Sequence, residues 1–200
     1  MNVNRRTQAE RSATTREALL RAGRELFGER GYAEVSTEQI VRRAGVTRGA
    51  LYHLFEDKRA LFAAVLDSVE ADVLARIAER VVAAGADPEQ LLRRAFSAWL
   101  DACQQPDVLQ ILLIDAPGVL GWEDWRAAMD RYGIATTTEL LQAAIDTGTI
   151  APQPVLALAH VVIGALDEAA LYIARSGDRA AARAEMDGVL DRFLAGLQVP

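Results

Sequence analysis

Apolar residues recur at intervals of three and four along almost the whole chain, and no segment of useful length alternates apolar with polar side chains. A chain patterned in this way can bury its apolar surface only by packing helices on helices. Gly, Pro and Asp interrupt the pattern at helix-like intervals, so an all-α fold of about nine helices and no sheet is expected. The first helix is expected over residues 14–29, opened by a Thr14-x-x-Glu17 capping box and stopped at Gly31. Ser36-x-x-Gln39 starts a short second helix that ends at Gly45, and Thr47 caps a third. A long fourth runs from Lys58 to Gly85, and a fifth opens on Asp87-Pro88 and reaches about Gln104. The sixth covers residues 107–115, a loop holds Pro117-Gly118 and Gly121, and the seventh covers residues 122–147. The eighth, residues 154–175, is apolar nearly all round and needs neighbours on every side, while the ninth, residues 179–197, carries one stripe through Met186, Val189, Leu190, Phe193, Leu194 and Leu197.

The composition is that of an ordinary soluble chain of one large or two small domains: 200 residues, 51% hydrophobic and 25% charged. The single cysteine, Cys103, permits no internal disulfide, and with two histidines the chain cannot build an all-His/Cys tetrahedral zinc site; no cofactor or metal is expected. No apolar run follows Met1, and the longest uncharged stretch, residues 151–166, contains Pro152, Gln153, Pro154 and His160. Neither a secretory signal nor a membrane span is therefore expected, and a reducing cytoplasm is the simplest location. The net charge of −6 argues at first against a phosphate-rich partner. Residues 1–60, however, hold 12 basic against 8 acidic side chains and the remainder 10 against 20, so the balance is +4 and −10. The amino-terminal end is locally basic, as docking on a polyanion requires.

That basic end contains two short helices joined by a tight turn, residues 36–55. Ile40, Val41, Ala44, Val46, Leu51, Leu54 and Phe55 can share one small core, which leaves Arg48, Gly49, Tyr52 and His53 on the opposite face of the third helix. Such a face is what a helix-turn-helix offers to the major groove. Gly49 lets the helix backbone come close, Arg48 can read a guanine edge through its fork, and Tyr52 and His53 carry donors for phosphate oxygens.

The residues Phe27-x-x-x-Gly31-Tyr32, Ser36, Ile40, Ala44-Gly45-Val46-Thr47, Gly49, Leu51-Tyr52, Phe55, Lys58 and Leu61 resemble the DNA-binding domain of the tetracycline-repressor (TetR) family. The resemblance implies a helix-turn-helix domain over residues 1–60, with a mobile basic arm (residues 1–12, bearing Arg5, Arg6 and Arg11), and a ligand-binding and dimerisation domain over residues 61–200. It carries DNA contacts onto Ser36, Thr47, Arg48, Tyr52 and Lys58, and Thr37, Gly49 and His53 join them as candidates. One departure stands out: the residue before the phenylalanine is often histidine in the family and is Leu54 here, with His53 one place earlier. The implied protein is a ligand-responsive repressor, not an enzyme, that binds a palindromic double-stranded operator as a homodimer through its eighth and ninth helices. The alternative is a small-molecule-binding protein or enzyme that retains a vestigial hairpin; no phosphate loop, H-E-x-x-H or Cys–His pairing supports catalysis.

For an apolar or amphipathic effector, the candidate residues are polar groups stranded among aromatics: Trp99, Cys103, Trp122, Trp125, Met129, His160 and Asp167, with Tyr132 and Tyr172 in the same pool. His160, Gly164, Asp167 and Leu171 share one face of the eighth helix. The His160/Asp167 pair reads either as a ligand-orienting pair or as a buried hydrogen bond or intersubunit contact. Asp115, before Ala116-Pro117, reads as a cap or a loop support, and Trp122 and Trp125 read as core before cavity wall.

Overall fold

The structure is a computed structural model that describes residues 8–82 and 88–198. Among these residues the chain is helical almost throughout: α1 Gln8–Arg30, α2 Thr37–Ala44, α3 Arg48–Leu54, α4 Lys58–Val82, α5 Pro88–Ala102, α6 Pro106–Val108, α7 Ala116–Leu120, α8 Trp122–Met129, α9 Ala135–Asp146, α10 Val155–Arg175 and α11 Arg179–Leu197. Two π-helical stretches, Leu109–Asp115 and Asp130–Ile134, join α6 to α7 and α8 to α9.

The nine expected segments are thus recovered, with two of them broken by π-helical backbone. The sixth and the seventh keep their apolar spacing, but each absorbs wider i→i+5 turns that a 3.6-residue pattern does not reveal. Residues 116–120 are helical rather than a loop: α7 continues directly from the π-helical turns, with Pro117 in its first turn. The capping box at Thr14 does not form either. Thr14 and Thr15 lie inside α1, each donating its hydroxyl to the carbonyl four residues back, Glu10 and Arg11, at 2.9 Å. Arg11 is consequently helical, not part of a mobile arm, while Arg5 and Arg6 lie outside the described residues, as do Gly85 and Asp87.

Two compact units emerge, and they do not divide the chain at residue 60. The first comprises residues 1–69 with 106–122, the second residues 70–105 with 123–200. The first unit extends past residue 60 because the opening turns of α4 complete its core: Leu61, Phe62, Val65 and Leu66 are buried with Leu19, Phe27, Val35, Ile40, Leu51 and Phe55. Phe27, Tyr32 and Phe62 form an aromatic triangle with centroid separations of 5.2 to 5.7 Å. The stretch from α6 to α7 packs on α1, where a side chain at Gly28 would place its Cβ 2.5 Å from that of Asp107. Glycine there is a packing requirement.

The second unit is a bundle of the later turns of α4 with α5, α8, α9, α10 and α11. Asp101 of α5 is bridged by Arg80 of α4 and Arg183 of α11, and Arg183 also reaches Ser97 and Asp187. Burial would raise the Asp101 carboxyl, but the hydrogen bonds from Arg80 and Arg183 outweigh it and hold the group below its ordinary range. By length and composition alone α10 could cross a membrane. One side of it is core, with Leu158, Ala159, Val162, Ile163, Leu166, Ala169, Ala170 and Ile173 buried, but it is not covered all round: Leu156, Val161 and Tyr172 are exposed.

Candidate nucleic-acid interface and buried cavity

The geometry of α2 and α3 follows from their ends. Ser36 Oγ accepts the N–H of Gln39 at 3.2 Å and Gln39 Oε1 accepts the N–H of Ser36 at 2.7 Å, a complete capping box. Gly45, at φ +68°, closes α2 in the left-handed region, and Val46 returns its N–H to the carbonyl of Val41 at 3.1 Å. Thr47 Oγ1 then accepts from Ala50 at 3.2 Å and starts α3. Both capping hydroxyls accept a backbone N–H, and that of Ser36 also bonds to the Glu38 carboxylate.

Ile40, Leu51 and Phe55 are buried, Val41, Ala44, Val46 and Leu54 half-buried, and Arg48, Gly49, Tyr52 and His53 exposed. The side chains on that outer face are already ordered. Arg48 pairs with Glu38 at 3.0 Å and lies 5.4 Å over the ring of Tyr52. Hydrogen bonds with Thr37 and then Arg48 draw the Tyr52 phenol below its usual range. A Cβ at Gly49 would meet nothing nearer than Thr47 Oγ1 at 4.0 Å, so the backbone there is open to approach.

Lys58 is differently placed. Its Nζ donates to the carbonyls of Tyr32 and Val35, each at 2.8 Å, and sits 3.9 Å from the Tyr32 ring centroid. Burial lowers its pKa while the charge of Asp115 works the other way. Two of its three donors are thus spent on the loop before α2. The same loop is held by Asp115, whose Oδ2 accepts the N–H of Tyr32 at 2.7 Å and whose Oδ1 accepts from Gln110 at 3.1 Å. Arg24 bonds to Asp107 at 2.7 Å, and Arg59 donates to the carbonyls of Val119 and Leu120. Sequence reading placed Asp115 at a cap or loop and could not find its partner 83 residues away.

The second unit encloses a cavity of about 70 Å³ whose wall includes Leu74, Ile77, Leu92, Phe96, Trp99, Met129, Gly133, Thr136, Leu140, Ile163 and Asp167. Of the expected residues, Trp99, Met129 and Asp167 line it. Trp125 instead packs against Met129, Ile134 and Ile163. Cys103 is buried beside Asp167, and burial, then the charge of Asp167, pushes its thiol far up. Trp122 is neither core nor cavity wall: it opens α8 after Gly121 with 68% of its surface exposed. His160 is exposed, 2.9 Å from Arg126, and does not share the cavity with Asp167. Tyr172 is exposed and donates to Glu185 at 3.1 Å; the side chain of Tyr132 lies outside the described residues. Asp167 Oδ1 and Trp99 Nε1 are buried without a hydrogen-bond partner, and burial pushes the Asp167 carboxyl up to about 7 against the opposing charge of Arg126. The spacing of Thr136, Leu140 and Ile163 on apolar helices looked like ordinary core, so nothing in the sequence distinguished them as wall.

Residues 19–65 match the family model described as bacterial regulatory proteins, tetR family, and residues 89–197 match that of the tetracyclin repressor-like C-terminal domain. A crystal structure of a TetR-family transcriptional regulator from Pectobacterium atrosepticum is 36% identical, covers 98% of this chain and 99% of its own, and superposes with a TM-score of 0.81. The chain belongs to the TetR family. TetR-family regulators bind DNA operators and act as dimers, and this member is a DNA-binding transcriptional regulator by that membership. Its similarity to the HTH-type transcriptional repressor BepR of Brucella suis is 48% identity over 62 residues, 31% of this chain and 29% of that protein. With the HTH-type transcriptional regulator TtgR of Pseudomonas putida it shares 42% over 77 residues, 38% of this chain and 36% of that one. These matches span less than two fifths of either relative's length. In this TetR-family chain the ordered surface cluster of Thr37, Glu38, Arg48 and Tyr52 and the walled cavity belong to different compact units.

Proposed function

We propose that the protein is a ligand-responsive repressor that binds a palindromic operator as a homodimer in the cytoplasm. The observation that carries the reading is the outer face of α3, where Arg48, Gly49, Tyr52 and His53 stand exposed beside a backbone with no Cβ in the way. Arg48 exchanges Glu38 for a base edge, while Tyr52, His53, Thr37 and the capping hydroxyls of Ser36 and Thr47 take phosphates. Lys58 steadies the loop before α2 with two N–H groups and offers the third to a phosphate. The functional division remains a reading head over residues 1–60 and an effector and dimer region over residues 61–200.

Exposed Leu156, Val161 and Tyr172 on α10 with Val189 on α11 support dimerisation through these two helices. The cavity supports an apolar or amphipathic effector. Helix α4 contributes Phe62 and Val65 to one core and Leu74 and Ile77 to the cavity wall, so it is the element through which an effector alters the reading heads. A ligand that prefers the non-binding geometry lowers DNA affinity by the same factor as DNA lowers ligand affinity. The test is an anisotropy titration of the full chain on duplex from the promoter region beside its own gene. Saturable binding that weakens steeply with salt and falls with Tyr52→Ala supports the reading; salt-insensitive binding, or none, refutes it.

A further inference from the structure

The wall of the cavity in the second unit is mostly apolar, with hydroxyls from Thr136 and Thr137, and two buried polar atoms of its lining residues, Asp167 Oδ1 and Trp99 Nε1, have no partner. A carboxylate oxygen wants a donor and an indole N–H can only give one. Leaving either unmet in an apolar enclosure costs free energy, and a ligand that meets both recovers it. An acid meets only the indole. A simple amine meets only the carboxylate. A head that carries an N–H donor beside an oxygen acceptor answers both.

The exit from the cavity defines the rest of the ligand. Leu74, Ile77, Thr136 and Leu140 belong both to the cavity wall and to an outer apolar groove, to which Ala78 and Val81 of α4 add. At about 70 Å³ the enclosed part has room for a small head group only, and the groove, about 390 Å³, can take a chain running out of it. We propose that this cavity takes a head-and-tail amphiphile whose head is amide-like, its N–H donated to Asp167 and its carbonyl accepting from Trp99, with an unbranched apolar tail along α4. The upward displacement of the Asp167 carboxyl fits a neutral partner, since the protonated carboxyl can also donate to the amide carbonyl. The inference rests on the effector reading only in using the same cavity.

The experiment is calorimetric titration of the full chain with octanamide, octylamine, octanoate and octanol, each of which has the same tail. Octanamide is expected to bind at least tenfold more tightly than octanoate or octylamine, the ~1.4 kcal/mol of one unmet hydrogen-bonding group, with octanol, whose single hydroxyl both donates and accepts, between them. Trp99→Phe and Asp167→Leu should each cost octanamide about tenfold, while octylamine should respond to Asp167→Leu and not to Trp99→Phe. Trp99→Phe removes the indole N–H together with part of the ring, so a melting curve checks that the fold persists, and the unchanged affinity of octylamine controls for the enlarged space. Equal affinity for all four probes, tighter binding of octanoate, no binding, or indifference of octanamide to both substitutions overturns the proposal. Operator release is measured separately: octanamide binding with this pattern but without release upholds the head-group chemistry and defeats the effector reading, whereas release by some other compound while octanamide fails to bind does the reverse.

Discussion

Asp167 sits in a setting where its charge is expensive. An unfolded aspartate titrates near 3.9, and in the folded protein burial moves this one up to about 7. Between those values the native state holds a proton that the unfolded chain has released, so the stability that Asp167 contributes is greatest below about pH 4 and is lost as pH rises through 7. Above that, the ionised group destabilises the fold by at most roughly 4 kcal/mol. Arg126 and Cys103 are the titratable neighbours, and Arg126 opposes the shift. Asp167→Asn should therefore raise the melting temperature by several degrees at pH 8 and by almost nothing at pH 4; an equal effect at both would show that the carboxyl does not titrate as buried. On the outer face the residues divide by what they touch. Arg48→Ala should relax preference at one base pair, by about 1–3 kcal/mol in a panel of operator variants, whereas Tyr52→Phe should weaken all sequences alike. A uniform loss with Arg48→Ala would place that guanidinium on phosphate.

At the level of elements, what could be read from sequence was whatever is decided locally. The Ser36/Gln39 box, the glycine closing α2 and the Thr47 cap are contacts within three to five residues, so both ends of α2 and the start of α3 appear in the sequence. The bounds of α11 follow from Asp178, whose carboxylate accepts from Ala181 at 3.0 Å. The π-helical turns left no such mark, because an i→i+5 widening preserves apolar content and has no cap. Nor could sequence show that Asp115 belongs with Tyr32, or that Lys58 turns inward to two carbonyls, since both depend on partners brought together by the tertiary fold. The same limit explains the cavity: Trp99 and Asp167 stood out as polar atoms on apolar helices, but their neighbours in the wall did not. Asp115 gives the element-scale test. Asp115→Ala leaves the Tyr32 N–H without its acceptor and frees the segment around α7 from the loop before α2, so a urea melt should show a loss of about 1–3 kcal/mol. Ser36→Ala should cost about 1 kcal/mol by removing one cap. If Asp115→Ala were the milder of the two, the carboxylate would be solvated rather than structural.

For the molecule as a whole, the limit is how little one α3 can read. Its seven residues span roughly 10 Å, enough for a few base pairs, and specificity on a genome needs two such helices about one turn of DNA, ~34 Å, apart. The surface available for pairing is the uncovered side of α10, where Leu156 is 56% and Val161 58% exposed, with Gly164 between these and Tyr172. Large apolar side chains exposed on a helix whose other side is core are costly to leave in water, and a second copy related by two-fold symmetry covers them with the same residues. The charge division agrees with this arrangement: residues 1–60 carry the net positive charge, and the net negative remainder has less reason to lie along DNA. Val161→Glu brings two like charges to the contact, because in a two-fold symmetric dimer each copy presents the substitution to the other. Sedimentation should then show a monomer where the parent chain is a dimer, and operator affinity should drop by a hundredfold or more while octanamide binding is unchanged, since Val161 is not part of the cavity wall. A dimer that survives Val161→Glu and Leu156→Glu together would move the contact off α10, and with it the source of the spacing that lets two short helices act as one.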